Sequence, residues 1–257
     1  MRTLLSTALY WSMQAGLKAK GIRILCYHRV NDEEKNYLTV PVKNFEEQMQ
    51  FLSQEGYRTL RLADLIRPVS KRLSGEEEFR KGIVITFDDG FRDNYLCAYP
   101  VLKRYGFSAA IFCIAQQIGR AGYLEKDQIL DMAENGFEFG SHTFSHPDLR
   151  KIGGPEKISE IADSRDWLKE TLGLQCNFFC YPYGRYDDEA VSLVREAGYF
   201  GACSNLPGVN EITGKANPYL LRRTEISGED SLEDFKKKLA GAFDLLHAGL
   251  HWMRGRP

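Results

Sequence analysis

GIVITFDDGFRDNYLCAYPVLKRYGFSAAIFCIA, residues 82–115, contains one complete unit of the fold. It opens with a short apolar run, GIVITFD, closed by Asp89 and Gly90. A segment of helical periodicity follows over 93–105, then Gly106-Phe107, then a second apolar run, SAAIFCIA at 108–115. Glycine just past a helix lets the chain leave in the left-handed conformation, and the aromatic then opens a strand. Strand, helix and strand in this rhythm predict parallel pairing through a helical crossover.

Outward from this unit the pattern repeats. Apolar runs at 22–28, 57–60, 137–142, 177–182, 199–204 and 220–226 alternate with amphipathic segments at 44–55, 61–67, 125–135, 155–172, 186–197 and 231–253. The glycine–aromatic step recurs at Gly56-Tyr57, Gly136-Phe137 and Gly198-Tyr199. Eight alternations over about 230 residues predict an α/β fold: a distorted (β/α) barrel of seven or eight parallel strands with extra terminal helices. The expected division is a helix at 1–20, the barrel at 21–228 and a closing helix at 229–257, with a polar surface loop at 68–81. No G-x-G-x-x-G follows the first strand, so a dinucleotide site gets no support.

Composition narrows the function further. A net charge of −1 with interspersed signs argues against a nucleic-acid binder held by counterion release. The six cysteines form no CxxC, and several sit inside apolar runs, as reduced thiols of a reducing compartment would. Ser6, Thr7, Ser12 and Gln14 interrupt the N-terminal apolar stretch, making it a poor signal peptide. These features predict a cytoplasmic protein. The amphipathic ends, Leu4 to Leu17 and Leu239 to Met253, have Trp11, Trp252, Arg254 and Arg256 nearby and raise a second expectation of peripheral membrane contact.

Active sites of parallel barrels lie at the C-terminal ends of the strands. There this chain places Tyr27-His28, Asp88-Asp89-Gly90, His142 with His146 just beyond, and Tyr181-Pro182-Tyr183-Gly184. Each has a bland reading: a structural histidine, a turn or helix cap, two solvated loop residues. Together they favour a site. Two histidines and one carboxylate form an open metal set for zinc or ferrous ion. Adjacent carboxylates diverge because side chains alternate along a strand, so one can bind metal while its neighbour serves as base.

TFDDG at 86–90, HTFSH at 142–146 and YPYG at 181–184, in that order, resemble the polysaccharide deacetylase family (carbohydrate esterase family 4, the NodB homology domain) over roughly residues 22–226. The resemblance implies a distorted (β/α) barrel, a divalent metal that is usually zinc, and hydrolysis of acetyl groups on amino-sugar polymers or related glycans. Carried over by position, Asp89, His142 and His146 would hold the metal, Asp88 would be the base, and the Tyr183 backbone N–H would help hold the oxyanion. The implied partner is an acetylated amino sugar, and no nucleic acid.

Two departures qualify the match. The family's late acid histidine is not evident: His247 and His251 flank an apolar stripe of Leu239, Phe243, Leu246, Leu250 and Met253. His28 is the better candidate, by resemblance to the permuted poly-N-acetylglucosamine deacetylase branch. Cys180 stands where the family usually has the arginine that orients the base; Arg222 or Arg223 could substitute, with Arg223 favoured by the same resemblance. DSRDW at 163–167 mimics a further family motif but precedes the third and lies on a helix, and is read as coincidence. The alternatives are a catalytically inactive carbohydrate-binding relative and a deacylase of a lipid-linked sugar at the membrane surface.

Overall fold

At each of the four glycine–aromatic steps the aromatic N–H returns to a carbonyl five residues back: Tyr57 to Leu52, Phe107 to Leu102, Phe137 to Met132 and Tyr199 to Val194. That bond is the signature of a glycine-capped helix end, and it turns each helix back toward a strand. The computed structural model describes residues 21–66, 81–211 and 217–244. The helix expected at 1–20, His247 and His251, and nearly all of the 68–81 loop lie outside the described residues.

The strands are β1 (Arg23–Tyr27), β2 (Arg29–Val30), β3 (Thr39–Val40), β4 (Arg58–Thr59), β5 (Gly82–Phe87), β6 (Ala110–Cys113), β7 (Glu138–Ser141), β8 (Phe178–Cys180), β9 (Gly201–Cys203) and β10 (Thr224–Glu225). The main sheet has eight parallel strands, seven in the order β10-β1-β5-β6-β7-β8-β9 with β4 against the start of β5. It curls into a half-barrel. Leu221 bridges to Cys203 beside β9 while Thr224 and Glu225 pair with β1, so one staggered segment touches both ends of the sheet. The short β2–β3 pair, at the rim, was not apparent in the sequence because each strand has two residues.

The helices are α1 (Val42–Gln54), α2 (Leu62–Ile66), α3 (Tyr99–Arg104), α4 (Lys126–Glu134), α5 (Gly154–Ile158), α6 (Ser164–Leu172), α7 (Asp188–Glu196) and α8 (Leu232–Ala240). Most pack on the outer face, whereas Leu62 and Leu65 of α2 join the interior cluster. A π-helical turn, Ser159–Asp163, joins α5 to α6. Alternation along the strands separates two cores. Leu25, Tyr27, Ile83, Ile85, Phe87, Ile111 and Phe179 face the helices. Ile24, Val84, Ala110, Phe112, Phe178 and Cys180 fill the interior. No helix among the described residues is long and apolar enough to cross a membrane.

One expectation needs correction. The closing helix does not run from 231 to 253. Its Ser231 cap starts it as the sequence suggests, but Gly241, at φ 86°, ends it after Ala240. Of the stripe expected from Leu239 onward, Leu246, Leu250 and Met253 lie outside the described residues. The DSRDW segment is structural: Arg165 donates to the carbonyls of Cys176, Ala197 and Gly198, and Trp167 packs edge-on against Phe144.

Candidate metal centre

The alternation that sorts the core also builds the site. Continuing the interior parity from Val84 brings Asp88 into the barrel mouth, and the same parity carries His142 on from Gly140. Beyond the strands the backbone turns sharply. Among the described residues the non-glycine positions with positive φ are Asp89 (71°), Thr143 (66°), His146 (70°) and Tyr183 (59°), and all four lie at this mouth. Such conformations cost energy and persist where the surroundings hold them.

Asp89, His142 and His146 converge. His142 Nε2 and His146 Nε2 each lie 3.5 Å from Asp89 Oδ1 and 3.2 Å from one another. With ligand bonds of about 2.0–2.1 Å and tetrahedral angles, donor atoms around one zinc ion sit about 3.3 Å apart. The spacing therefore fits a single small divalent ion. His142 Nδ1–H donates to the Cys180 carbonyl at 2.8 Å, which directs the Nε2 lone pair at the centre of the trio. Burial, with His142 beside it, pushes His146 down to about 3, so the ring is neutral and able to ligate at neutral pH. Burial also raises the Asp89 carboxyl, as expected of a desolvated group that lacks a full counter-charge.

Its neighbour has the opposite electrostatics. Arg223 donates from both terminal nitrogens to Asp88, at 2.6 Å to Oδ1 and 2.7 Å to Oδ2. Burial alone would raise Asp88, but the guanidinium outweighs it and holds the carboxyl well below the usual carboxylate range. Arg223 also donates to Asn205 Oδ1 at 2.6 Å and to the Ser204 carbonyl. Cys26 and Cys180 each place a thiol 3.6 Å from Asp88 Oδ2. Both thiols group with Asp88 at metal-like distances, yet the guanidinium already covers both carboxylate oxygens. Cys180, small where an arginine was expected, accepts from Arg223 at 3.1 Å. Arg222 turns away and donates to the Pro207 carbonyl.

His28 stands across the mouth, Nε2 4.0 Å from Asp88 Oδ2. Its Nδ1 is buried and makes no hydrogen bond among the described residues. Asp93 organises this side of the rim: it accepts from Arg29, Asn31 and the Val30 N–H, while Asn94 donates to the His28 carbonyl. Tyr183 is half exposed, with its ring 4.6 Å from that of His146. Sequence reasoning missed Asn205, Asp93 and Glu160. Asn205 and Glu160 lie outside the quoted motifs, and Asp93 carries no spacing signal of its own. Thr143 was within a motif, and its hydroxyl accepts from the His146 N–H at 2.9 Å.

The family model for polysaccharide deacetylases matches residues 76–202, which include both carboxylates, both histidines and the YPYG loop. YxkH of Bacillus subtilis (strain 168), named for the polysaccharide deacetylases, is 36% identical over 212 residues, covering 82% of this chain and 73% of its own. The poly-beta-1,6-N-acetyl-D-glucosamine N-deacetylase of Staphylococcus aureus (strain MRSA252) is 29% identical over 224 residues, covering 81% and 74%. Among solved structures, the Streptococcus pyogenes deacetylase PplD in complex with acetate superposes with a TM-score of 0.75 at 29% identity, over 85% of this chain and 97% of that one. IcaB from Ammonifex degensii gives 0.70 at 28%, over 88% and 98%.

Proposed function

The chain belongs to the polysaccharide deacetylase family, and from that premise we propose that it is a zinc-dependent N-deacetylase of N-acetylglucosamine-type polymers. The observation that carries this reading is the Asp89–His142–His146 trio, at tetrahedral-edge spacing, directly beside a buried carboxylate that an arginine holds ionised. The S. aureus relative named for poly-β-1,6-N-acetyl-glucosamine supports that polymer as the first substrate to try.

In this reading Asp89, His142 and His146 would hold the ion. When bound, a divalent ion acidifies water and polarises a carbonyl. Asp88, ionised and oriented by two hydrogen bonds from Arg223, accepts the proton from the attacking water. The guanidinium keeps Asp88 ionised, so its carboxylate is free to take a proton. His28, on the opposite side of the mouth, gives a proton to the departing amine. The backbone N–H of Tyr183, held in a left-handed turn, binds the oxygen that gains charge as the amide carbon becomes tetrahedral. Water and the amide thus become acetate and a free amino sugar.

The test is acetate release from poly-β-1,6-N-acetylglucosamine and from β-1,4-linked oligomers, after metal removal and reloading with zinc, cobalt or manganese. Release that returns with metal is expected. A protein that binds these glycans but frees no acetate with any of the ions is a carbohydrate-binding relative instead.

A further inference from the structure

The loop from His142 to His146 contains two left-handed residues, Thr143 and His146, the second of them a proposed ligand. Such a loop does not keep its shape unaided. Its backbone donors can be followed one by one. The Thr143 N–H goes to Ser141 Oγ and the His146 N–H to Thr143 Oγ1. The two between them, on Phe144 and Ser145, both go to one carboxylate oxygen, Glu160 Oε2, at 2.9 and 2.8 Å. The Ser145 hydroxyl takes the other oxygen, Oε1, at 2.5 Å. The Phe144 N–H is shared with the Glu160 main-chain carbonyl at 3.1 Å.

Glu160 therefore gathers three donors from the two residues nearest the middle of the loop. It is 8% exposed and lies in the π-helical turn Ser159–Asp163. One extra residue in that turn changes the direction in which the helix presents its side chains, and widened turns of this kind recur at functional sites. On the same helical stretch Trp167 braces Phe144 from the side. The opposite edge of the loop is fixed by strand-end contacts, Ala115 N–H to the Thr143 carbonyl and Gln116 N–H to the Phe144 carbonyl. Without the carboxylate, the Ser145 N–H loses its acceptor and the Phe144 N–H keeps only the Glu160 main-chain carbonyl, so the span between the two imidazoles is free to relax.

We propose that Glu160 is a positioning residue for the metal site: its carboxylate clamps the loop so that His142 and His146 keep the separation a single ion needs. The inference rests on the metal reading above but not on the identity of the substrate. It concerns ion affinity, to which Glu160 contributes without touching the ion.

The experiment compares wild type, Glu160→Gln and Ser145→Ala as metal-free proteins, measuring zinc affinity against a chromophoric chelator, the visible absorption of the cobalt form, and thermal unfolding. Glu160→Gln is expected to bind zinc roughly 10–100-fold more weakly, the range for outer partners of metal ligands. Its cobalt bands should shift, and its acetate release should return at saturating zinc with an unchanged KM for glycan. Wild-type zinc affinity and cobalt spectrum in this variant, whatever its melting temperature, would overturn the proposal and leave Glu160 a stabilising residue only. Should Glu160→Gln fail to fold, Ser145→Ala removes one donor and leaves the carboxylate. A several-fold loss of zinc affinity supports the clamp, and no loss overturns it. Wild type that binds zinc but releases no acetate defeats the proposed reaction alone, whereas wild type that binds no divalent ion defeats both.

Discussion

Arg223 and Asp88 meet inside the barrel through two parallel hydrogen bonds of 2.6 and 2.7 Å, with their side chains 1% and 3% exposed. The pairing gives two adjacent carboxylates different chemistry. Asp88 is neutralised from the rear by a fixed cation, while Asp89, one residue on and turned by its positive φ, faces two imidazoles. The ends of the sheet explain the geometry. Arg223 lies in the segment that bridges β9 and β1, next to the strand that leads into His28. The closing segment and the first strand together place a guanidinium and an imidazole on either side of Asp88.

Removing one partner of this pair separates its roles. Arg223→Ala leaves a buried carboxylate without its counter-ion and is expected to cost about 3–5 kcal/mol in urea unfolding. Asp88→Asn should abolish acetate release while zinc affinity, carried by Asp89, His142 and His146, persists. Acetate release unaffected by Asp88→Asn would sink the assignment of the base.

Metal should be worth measurable stability. A ligand that binds only the folded state at about 1,000 times its Kd adds about 4 kcal/mol. For a domain of this size, that corresponds to a rise in melting temperature of roughly 10 °C. Zinc added to metal-free protein should produce a rise of this order, and His146→Ala should lose most of it. A melting temperature indifferent to zinc, cobalt and manganese would count decisively against the trio as a metal site.

The strands and the trio were legible because both have local signatures. Each of the eight expected apolar runs contains a strand of the main sheet, since a buried parallel strand is a short apolar run and its helix ends at a glycine–aromatic step. Asp89, His142 and His146 sit in compact motifs at strand ends. What was not legible depends on distance along the chain. The choice between Arg222 and Arg223 needed the register of the last segment, which sends Arg223 inward and Arg222 to the Pro207 carbonyl. Glu160 and Asn205 act through contacts with residues distant in sequence, with no periodicity to mark them. The closing helix was expected to continue because apolar spacing runs past Gly241, whose left-handed backbone ends the helix after Ala240.

His28 and Asp93 make a paired prediction. His28→Gln keeps the shape of the mouth but cannot give a proton as imidazolium does. Acetate release should fall about 10²–10⁴-fold, with zinc affinity unchanged. Asp93→Ala removes the acceptor for Arg29, Asn31 and the Val30 N–H, and should loosen the rim that holds the His28 backbone. It is expected to lower kcat less than His28→Gln does. Combining the two should add little further loss, because both act on one proton transfer. Fully multiplicative losses would show that Asp93 acts elsewhere.

Two glycines give a controlled comparison of strain and contact. Gly173 (φ 69°) and Gly184 (φ 66°) have nearly the same backbone, but a Cβ on Gly173 would meet nothing within 4 Å. A Cβ on Gly184 would lie 2.5 Å from Asn205 Cβ and 2.9 Å from its main-chain nitrogen. Gly173→Ala should therefore cost only the left-handed penalty, about 1–2 kcal/mol, with normal acetate release. Gly184→Ala adds a clash that must move Asn205, whose Oδ1 accepts from Arg223 at 2.6 Å. Its stability loss should exceed that of Gly173→Ala, and acetate release should drop because the guanidinium behind Asp88 loses a partner. Denaturant unfolding and initial rates on both variants decide the matter: equal stability losses with normal rates would break the proposed line of contact from the YPYG turn to the base.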